Sequence, residues 1–129
     1  MTDRNRMFNA SNPYQGNSKK VLCVCSAGLL RSPTAARILQ VEYSYNTRAA
    51  GIDHGHALIK ADAVLISWAD EIVCMDEYQA AQLRSIAELG DVQAPPILVL
   101  DIPDSYGYMD VDLQEAILES YADCFRGGS

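Results

Sequence analysis

The sequence predicts an α/β domain in which a four-stranded, mainly parallel sheet is flanked by helices on both faces. Short apolar, β-prone runs alternate with segments of helical periodicity in the order βαβαβαβα, and no segment repeats another. The chain has 129 residues, of which 49% are hydrophobic, so it is long enough for one compact domain with its own core. Strands separated by helices pair in parallel, because each helix carries the chain back across the sheet.

The first half of the chain contains two predicted strands with a helix between them. Residues 20–24 form an apolar, β-prone run, and residues 32–42 carry apolar side chains at nearly helical spacing. Ser32 suits the N-cap of this helix, and Pro33 suits its first helical position because its missing amide hydrogen costs nothing there. Residues 43–50, which precede a glycine, predict the second strand.

The middle of the chain adds two helices around a third strand. Residues 57–69 predict a helix, and residues 71–75 predict a strand. Asp76 suits the N-cap of a helix over residues 77–89, which Gly90 is expected to end.

The last strand and the last helix enclose a polar loop. Residues 97–100 are an apolar run typical of a strand buried on both faces, and residues 111–125 place apolar side chains on one helical face. Residues 101–110, between them, are rich in Asp, Pro, Ser, Tyr and Gly. Ligands of such folds bind at the carboxyl ends of the strands, so we expect a site in the loops that follow the first and last strands.

The chain ends and the cysteines indicate the domain limits and the compartment. We expect residues 1–18 to be a flexible polar tail without the apolar core of a secretory signal, residues 19–126 a single domain, and residues 127–129 a disordered end. The four cysteines lie in apolar or strand-like surroundings rather than at the spacings of a disulfide framework. We therefore predict a reducing, cytoplasmic location.

The charge of the chain disfavours several classes of partner. A net charge of −7 and an isoelectric point near 4.6 argue against nucleic-acid binding, which depends on clustered Lys and Arg. No apolar run approaches the ~18 residues that a membrane span requires. Any anionic ligand must therefore be bound locally, by backbone amides and one or two arginines.

One loop offers the groups for such a site. After the first strand the sequence reads CSAGLLRSPT, in which Arg31 follows Cys25 by six residues. A short loop of small residues can turn its amides inward, and the following helix adds the positive end of its dipole. Arg31 could bind two oxygens of an oxyanion, and the positive surroundings with the Ser32 hydroxyl would stabilise Cys25 as a thiolate nucleophile. A lone cysteine at a strand end is more often only a small buried residue, but the surrounding pattern favours the nucleophile.

The loop after the last strand offers candidate acids. A thiolate that attacks a phosphate ester needs a group to protonate the departing oxygen, and Asp101, Asp104 and Asp110 all follow the last strand. Asp104 is the preferred candidate because it stands in the middle of the loop, near Tyr106, whose ring could form one wall of a slot for an aromatic group. The alternative is that Asp104 merely builds a turn.

These motifs resemble those of the low-molecular-weight protein tyrosine phosphatases, especially a short bacterial branch of them. The similar segments are VLCVCSAGLLRSPTAARIL at 21–39, AAGI at 49–52, WADEIVCMDE at 68–77 and VLDIPDSYGYMD at 99–110. The resemblance implies a four-stranded parallel sheet, a phosphocysteine intermediate on Cys25, transition-state binding by Arg31, and neither a metal nor an organic cofactor. It also implies a hydroxyl bond from Ser32 to the thiolate and a general acid at Asp104.

The resemblance further implies how the substrate is bound and where this chain departs from the family. The phosphate would be bound by the loop between the first strand and the first helix, which comprises Ser26, Ala27, Gly28, Leu29 and Leu30. The family usually has Asn where this chain has Gly28, Pro where it has Ser105, and Cys where it has Leu30. Leu29 favours phosphotyrosine, because relatives that act on phosphoarginine carry Thr at this place.

The expected activity is hydrolysis of phosphotyrosine proteins or small aryl phosphates, with inorganic phosphate as the product. One alternative is arsenate reduction on the same scaffold, which needs two further cysteines close together downstream, whereas Cys74 and Cys124 are far apart in sequence. Another is a phosphate- or phosphotyrosine-binding module with little turnover, motivated by Gly28 and Ser105.

Overall fold

The computed structural model describes residues 19–26, 31–52, 60–103 and 105–126. In these residues the strands are β1 (Lys20–Cys25), β2 (Asn46–Gly51), β3 (Glu71–Cys74) and β4 (Ile97–Val99). The helices are α1 (Arg31–Tyr43), α2 (Ala63–Trp68), α3 (Glu77–Leu89) and α4 (Val111–Arg126). All strand pairs are parallel, and the order in the sheet is β2-β1-β3-β4. The predicted α/β class and element order are confirmed.

β1 is a central strand, and its side chains alternate between two cores. Val21, Cys23 and Cys25 face one cluster of buried residues, whereas Leu22 and Val24 face the other. All five side chains are almost completely buried. A strand that is apolar on both faces has to be covered by helices on both, which accounts for the uninterrupted apolar run in this part of the sequence.

The helices divide between the two faces of the sheet. α1 and α4 supply Leu39 and Ile117 to the first core, and α2 and α3 supply Ile66 and Leu83 to the second. The prediction of helices on both faces is thereby confirmed. Within the described residues, no helix combines the length and the apolar character needed to cross a membrane.

Three predicted element boundaries are wrong. α1 already includes Ser32, so this residue is not the N-cap, and its hydroxyl makes long-range contacts instead. The second strand begins at Asn46 because α1 continues to residue 43 and is followed by Ser44, whose φ of 60° ends the helix. Of the helix predicted over residues 57–69, the described part is helical only from Ala63, with Asp62 as the N-cap.

The caps of α3 are confirmed. The Asp76 carboxylate accepts a hydrogen bond from the Gln79 amide, which satisfies one of the unpaired donors of the first turn. Gly90 caps the other end, where its amide bonds the Ile86 carbonyl. Both caps are local in sequence, which is why the pattern of residues predicted them.

A buried polar network stabilises the end of the sheet at which the strands begin. Glu71 is 3% exposed and accepts hydrogen bonds from the Lys19 ammonium at 2.6 Å and the Tyr121 hydroxyl at 2.7 Å. The Tyr121 hydroxyl also lies 3.1 Å from the Tyr45 hydroxyl. Because Tyr121 has one hydroxyl hydrogen, it donates either to Glu71 or to Tyr45 at a given time. Burial, with the Tyr45 and Glu71 contacts, raises the pKa of Tyr121 above its ordinary value, so it stays protonated and available as a donor.

We predict that Gly90→Ala destabilises the fold. A Cβ at this position would lie 2.6 Å from the Cβ of Ala63, the first residue of α2, and the two helices would have to separate. Overpacking of this kind costs about 1–3 kcal/mol. The measurement is the urea midpoint of unfolding. Gly107→Ala is the matched control, because a Cβ there meets no atom within 4 Å; equal midpoints for the two variants would refute the close approach.

Candidate active site

The candidate nucleophile lies where the chain changes direction across the sheet. β1 lies between β2 and β3 in the sheet. The chain therefore runs from β1 to β2 on one side, and then returns past β1 to β3 on the other side. Cys25 is the last residue of β1, and its carbonyl accepts a hydrogen bond from the Ile52 amide at 3.1 Å. A crevice forms at such a point in open parallel sheets, and ligands bind there.

Cys25 and Ser32 are in direct contact. The Cys25 thiol donates to the Ser32 Oγ at 3.2 Å, and the Ser32 hydroxyl donates to the Ala50 carbonyl at 3.3 Å. Ser32 is completely buried. If the thiol loses its proton, only the hydroxyl has a hydrogen to share, so Ser32 can turn from the Ala50 carbonyl to donate to the sulfur. The geometry therefore suits a hydroxyl that stabilises a thiolate.

Arg31 lies in the first turn of α1 and is 5% exposed. Its Nη1 donates to the carbonyl of Ile102 at 2.7 Å, which ties this first turn to the segment that follows β4. Arg31 also lines the surface pocket at the carboxyl end of the sheet. A buried guanidinium at the edge of a pocket is suited to bind an oxyanion, because its contact with the protein fixes its orientation.

The pocket has a volume of about 360 Å³. It is open to solvent, and residues from the ends of β1, β3 and β4 and from α1 line it: Ser26, Arg31, Met75, Asp76, Asp101, Ile102 and Pro103. Ser26 directly follows Cys25 in the chain. The described pocket thus combines one cation and a hydroxyl with two carboxyl groups beside the candidate nucleophile.

The segment 101–110, which carries the candidate acids, is held at its start. Asp101 is exposed and has a φ of 60°, a left-handed conformation that is costly for a residue other than glycine. The flanking residues compensate: the Leu100 amide bonds the Cys74 carbonyl, and the Ile102 amide bonds the Met75 carbonyl, each at 2.9 Å.

The same segment is held again near its end. Met109 also has a left-handed φ, of 58°, and its amide donates to the Thr34 hydroxyl of α1 at 2.9 Å. Its carbonyl accepts from the Gln114 side chain at 2.8 Å. Together with the bond from Arg31 to Ile102, the contact to Thr34 means that the first turn of α1 holds the segment at two points.

Gln79 is a buried polar residue beside the site that sequence reasoning missed. It is completely buried; its Oε1 accepts from the Met75 amide at 2.7 Å, and its Nε2 donates to the Ser26 Oγ at 3.3 Å. The spacing from Asp76 to Gln79 is that of a capping box, in which the Gln side chain turns back toward the start of the helix. That pattern could have predicted the backward turn, but not the contact with Ser26, which is distant in sequence.

The structure brings together Cys25, Ser26, Arg31 and Ser32 of the sequence-predicted site. Tyr106 is half-buried and packs against the first core, and it is not among the residues that line the pocket. The remaining predicted site residues lie outside the described residues: Ala27, Gly28, Leu29, Leu30 and Asp104. Their roles stay predictions.

The four cysteines, all of them among the described residues, form no disulfide and lie in different surroundings. Burial, together with the charge of Glu71, raises the pKa of Cys23 far above its ordinary value. Burial and the nearby Asp76 raise the pKa of Cys74 to about 12. Burial also raises the pKa of Cys124. These three thiols are therefore poor sources of thiolate at neutral pH.

Solved structures identify the fold. The tyrosine phosphatase Wzb from Escherichia coli K30, in complex with phosphate, matches with a TM-score of 0.63 over 81% of this chain and 94% of its own, at 17% identity. YfkJ from Bacillus subtilis matches with a TM-score of 0.61 over 89% and 99%, at 19% identity. A low-molecular-weight phosphotyrosine phosphatase from Vibrio cholerae O395 gives 0.58 over 84% and 97%, at 21% identity. The chain has the low-molecular-weight tyrosine phosphatase fold.

The same fold also occurs in proteins with another substrate. The arginine phosphatase YwlE from Geobacillus stearothermophilus matches with a TM-score of 0.55 over 81% of this chain and 86% of its own, at 18% identity. No family model and no curated protein sequence matches this chain. At these identities the likeness establishes the fold, and the activity has to be argued from the site.

We predict that iodoacetamide near neutral pH alkylates Cys25 before the other cysteines. Alkylation requires a thiolate, and the raised pKa values of Cys23, Cys74 and Cys124 keep these thiols protonated until the pH approaches those values. Peptide mapping by mass spectrometry measures the order of modification. Inorganic phosphate should slow the reaction of Cys25, and unfolded protein should react at all four thiols; faster modification of Cys124 than of Cys25 would contradict the assignment.

Proposed function

We propose that this protein is a cysteine-dependent phosphatase that hydrolyses phosphotyrosine or other aryl phosphate monoesters through a phosphocysteine intermediate. The observation that carries the proposal is the contact of the Cys25 thiol with the buried Ser32 hydroxyl, 3.2 Å apart, beside a pocket lined by Arg31. A thiolate needs a donor, and a transferred phosphoryl group needs a fixed cation. Both are present at the carboxyl end of β1.

In the first step the Cys25 thiolate attacks the phosphorus of the ester. The sulfur–phosphorus bond forms as the bond from phosphorus to the ester oxygen breaks, and a carboxylic acid gives its proton to the departing oxygen. We assign this acid to Asp104. Asp101 lies on the same segment and lines the pocket, so it is the competing assignment. Arg31 stabilises the charge that spreads over the phosphoryl oxygens in the transition state.

In the second step water attacks the phosphocysteine. The carboxylate left by the first step takes a proton from this water, a phosphorus–oxygen bond forms, and the sulfur–phosphorus bond breaks. Inorganic phosphate leaves and the Cys25 thiolate is regenerated. The Ser32 hydroxyl supports the sulfur as a leaving group by donating a hydrogen bond to it, as the 3.2 Å contact allows.

One residue and one group of similar structures support an aryl phosphate as the substrate. Leu29, which lies outside the described residues, carries an aliphatic side chain where phosphoarginine-specific relatives carry Thr. The similar structures include Wzb from Escherichia coli K30 with phosphate and Wzb from Vibrio vulnificus with benzylphosphonate. The fold is shared with an arginine phosphatase, so the choice between phosphotyrosine and phosphoarginine needs a direct comparison.

The positions of the remaining cysteines weigh against arsenate reduction. Cys74 belongs to the core on one face of the sheet, whereas Cys124 packs against the core on the other face, where Cys25 lies. A disulfide relay requires the sulfurs to meet in sequence. Two thiols separated by the sheet cannot relay a disulfide without rearrangement of the fold.

We also infer a reducing, cytoplasmic location and a phosphotyrosine-containing protein as the substrate-bearing partner. The inference about the compartment is supported by the four cysteines, which the structure describes without a disulfide and of which three are buried. The inference about the partner is supported by the open pocket, which leaves space for a group attached to a larger chain.

We predict that the wild type releases phosphate from an aryl phosphate and from a phosphotyrosine peptide in the presence of a chelator, and that Cys25→Ser lowers kcat by about 10³-fold or more. The measurement is phosphate release at saturating substrate. Cys124→Ser is the matched control, since it makes the same chemical change on α4, and it should retain wild-type activity. A phosphoarginine peptide in parallel tests the substrate class.

The possible outcomes distinguish the covalent mechanism from a binding module, and phosphotyrosine from phosphoarginine as the substrate. Phosphate release by both the wild type and Cys25→Ser would refute the covalent mechanism. Binding of the phosphotyrosine peptide without release by the wild type would make the chain a binding module. Faster release from phosphoarginine than from phosphotyrosine would overturn the substrate class while leaving the mechanism intact.

We predict that Asp104→Asn lowers kcat/KM for phenyl phosphate by about 10²-fold or more, and that for 4-nitrophenyl phosphate by far less. The reason is that nitrophenolate departs without a proton, whereas phenolate depends on the acid. kcat/KM is the appropriate constant because it reports the step in which the leaving group departs. Asp101→Asn should lower both constants equally; if it alone suppressed the phenyl ester selectively, Asp101 would be the acid.

A further inference from the structure

The amide of Gln79 has only one possible orientation. The Met75 amide nitrogen can only donate a hydrogen bond, so the Gln79 atom 2.7 Å from it must be the carbonyl oxygen Oε1. The other side-chain atom, Nε2, is then the one that meets Ser26, at 3.3 Å. Because Gln79 is completely buried, solvent does not compete for either contact.

This orientation sets the direction of the Ser26 hydroxyl. Nε2 has hydrogens and no acceptor lone pair, so Ser26 Oγ is the acceptor in the contact with Gln79. The hydrogen of the Ser26 hydroxyl must therefore point elsewhere. Among the residues that the structure describes, no protein acceptor takes it, and Ser26 lines the same pocket as Arg31.

We propose that the Ser26 side-chain hydroxyl is a hydrogen-bond donor to the phosphoryl oxyanion, and that Gln79 is the positioning residue that keeps this hydroxyl in its donating direction. The proposal rests on the proposed function of the pocket. It extends that function because it assigns an oxyanion donor to a side chain, in addition to the backbone amides and Arg31. Bonds run in one direction through three groups: the Met75 amide donates to Gln79, Gln79 donates to Ser26, and Ser26 donates into the pocket.

The physical benefit is preorganisation. A serine hydroxyl rotates freely and can present either a hydrogen or a lone pair to a ligand. A lone pair aimed at a phosphoryl oxygen would repel it, whereas a fixed donor stabilises the charge without reorganisation during the reaction. Fixed donors matter more in a protein with a net charge of −7, whose overall field repels an anion.

A double-mutant cycle on Ser26 and Gln79 tests the proposal. Ser26→Ala removes the donor and should lower kcat/KM for 4-nitrophenyl phosphate about tenfold or more, with a matching loss of affinity for inorganic phosphate. Gln79→Glu keeps the shape of the side chain but places a second acceptor against Ser26, so the hydroxyl turns to donate to the carboxylate and is lost to the ligand. It should lower both quantities by a similar factor.

The cycle separates this effect from that of the added charge. In the Ser26→Ala background, Gln79→Glu has no hydroxyl to redirect, and only the general effect of the charge should remain. Gln82→Glu places the same charge one turn further along α3, at a half-buried position, and should leave kcat/KM within about twofold of wild type. Gln79→Met, which is neutral, substitutes for Gln79→Glu if that variant does not fold, and its loss should likewise disappear in the Ser26→Ala background.

Titration of wild type and variants with inorganic phosphate, followed calorimetrically, keeps the test independent of turnover. If wild type binds phosphate without hydrolysing esters, the proposed function fails while the donor role of Ser26 is still measured. Unchanged phosphate affinity and kcat/KM in Ser26→Ala would overturn the donor role. Equal losses from Gln79→Glu with and without the Ser26 hydroxyl would overturn the positioning role of Gln79 and leave it a structural residue only.

Discussion

β1 is enclosed by strands on both edges and by helices on both faces, and this enclosure constrains every other part of the molecule. Its backbone is paired with β2 over residues 20–25 and with β3 over residues 21–24, and its side chains are buried in two separate cores. Such a strand can meet a ligand only at its end. Cys25 occupies the carboxyl end, so this buried central strand also places the candidate nucleophile beside the pocket.

Buried polar side chains are concentrated around that end. Among the described residues, five polar or charged side chains are buried, and Arg31, Ser32, Thr34 and Gln79 are four of them. Each bonds a neighbour that belongs to the site or to the segment after β4. Buried polar groups without partners are costly, so networks of this kind hold one arrangement against alternatives. These hydrogen bonds therefore hold the residues around the proposed active site in one arrangement.

Sequence reasoning succeeded where the determining interactions are local. The caps of α3 at Asp76 and Gly90 and the apolar run of β1 follow from patterns within a few residues of one another. The helices on both faces of the sheet follow from the alternation of strands and helices along the chain. It failed at the start of α1, where Ser32 lies inside the helix and its hydroxyl contacts Cys25 and Ala50, which lie outside that helix. The contacts of Gln79 with Ser26 and of Thr34 with Met109 span 53 and 75 residues, and no local pattern encodes such pairs.

Because the Arg31 side chain bonds the Ile102 carbonyl, a substitution at position 31 acts on two parts of the molecule. The guanidinium both borders the pocket and supports the backbone of a distant segment, so its loss changes a charge and a scaffold at once. A lysine in its place would retain the charge, but its single ammonium lacks the planar set of donors that can bond the Ile102 carbonyl and a ligand in the pocket at once. A loss of activity on substitution of Arg31 therefore reports the displacement of the segment after β4 together with the loss of the charge in the pocket.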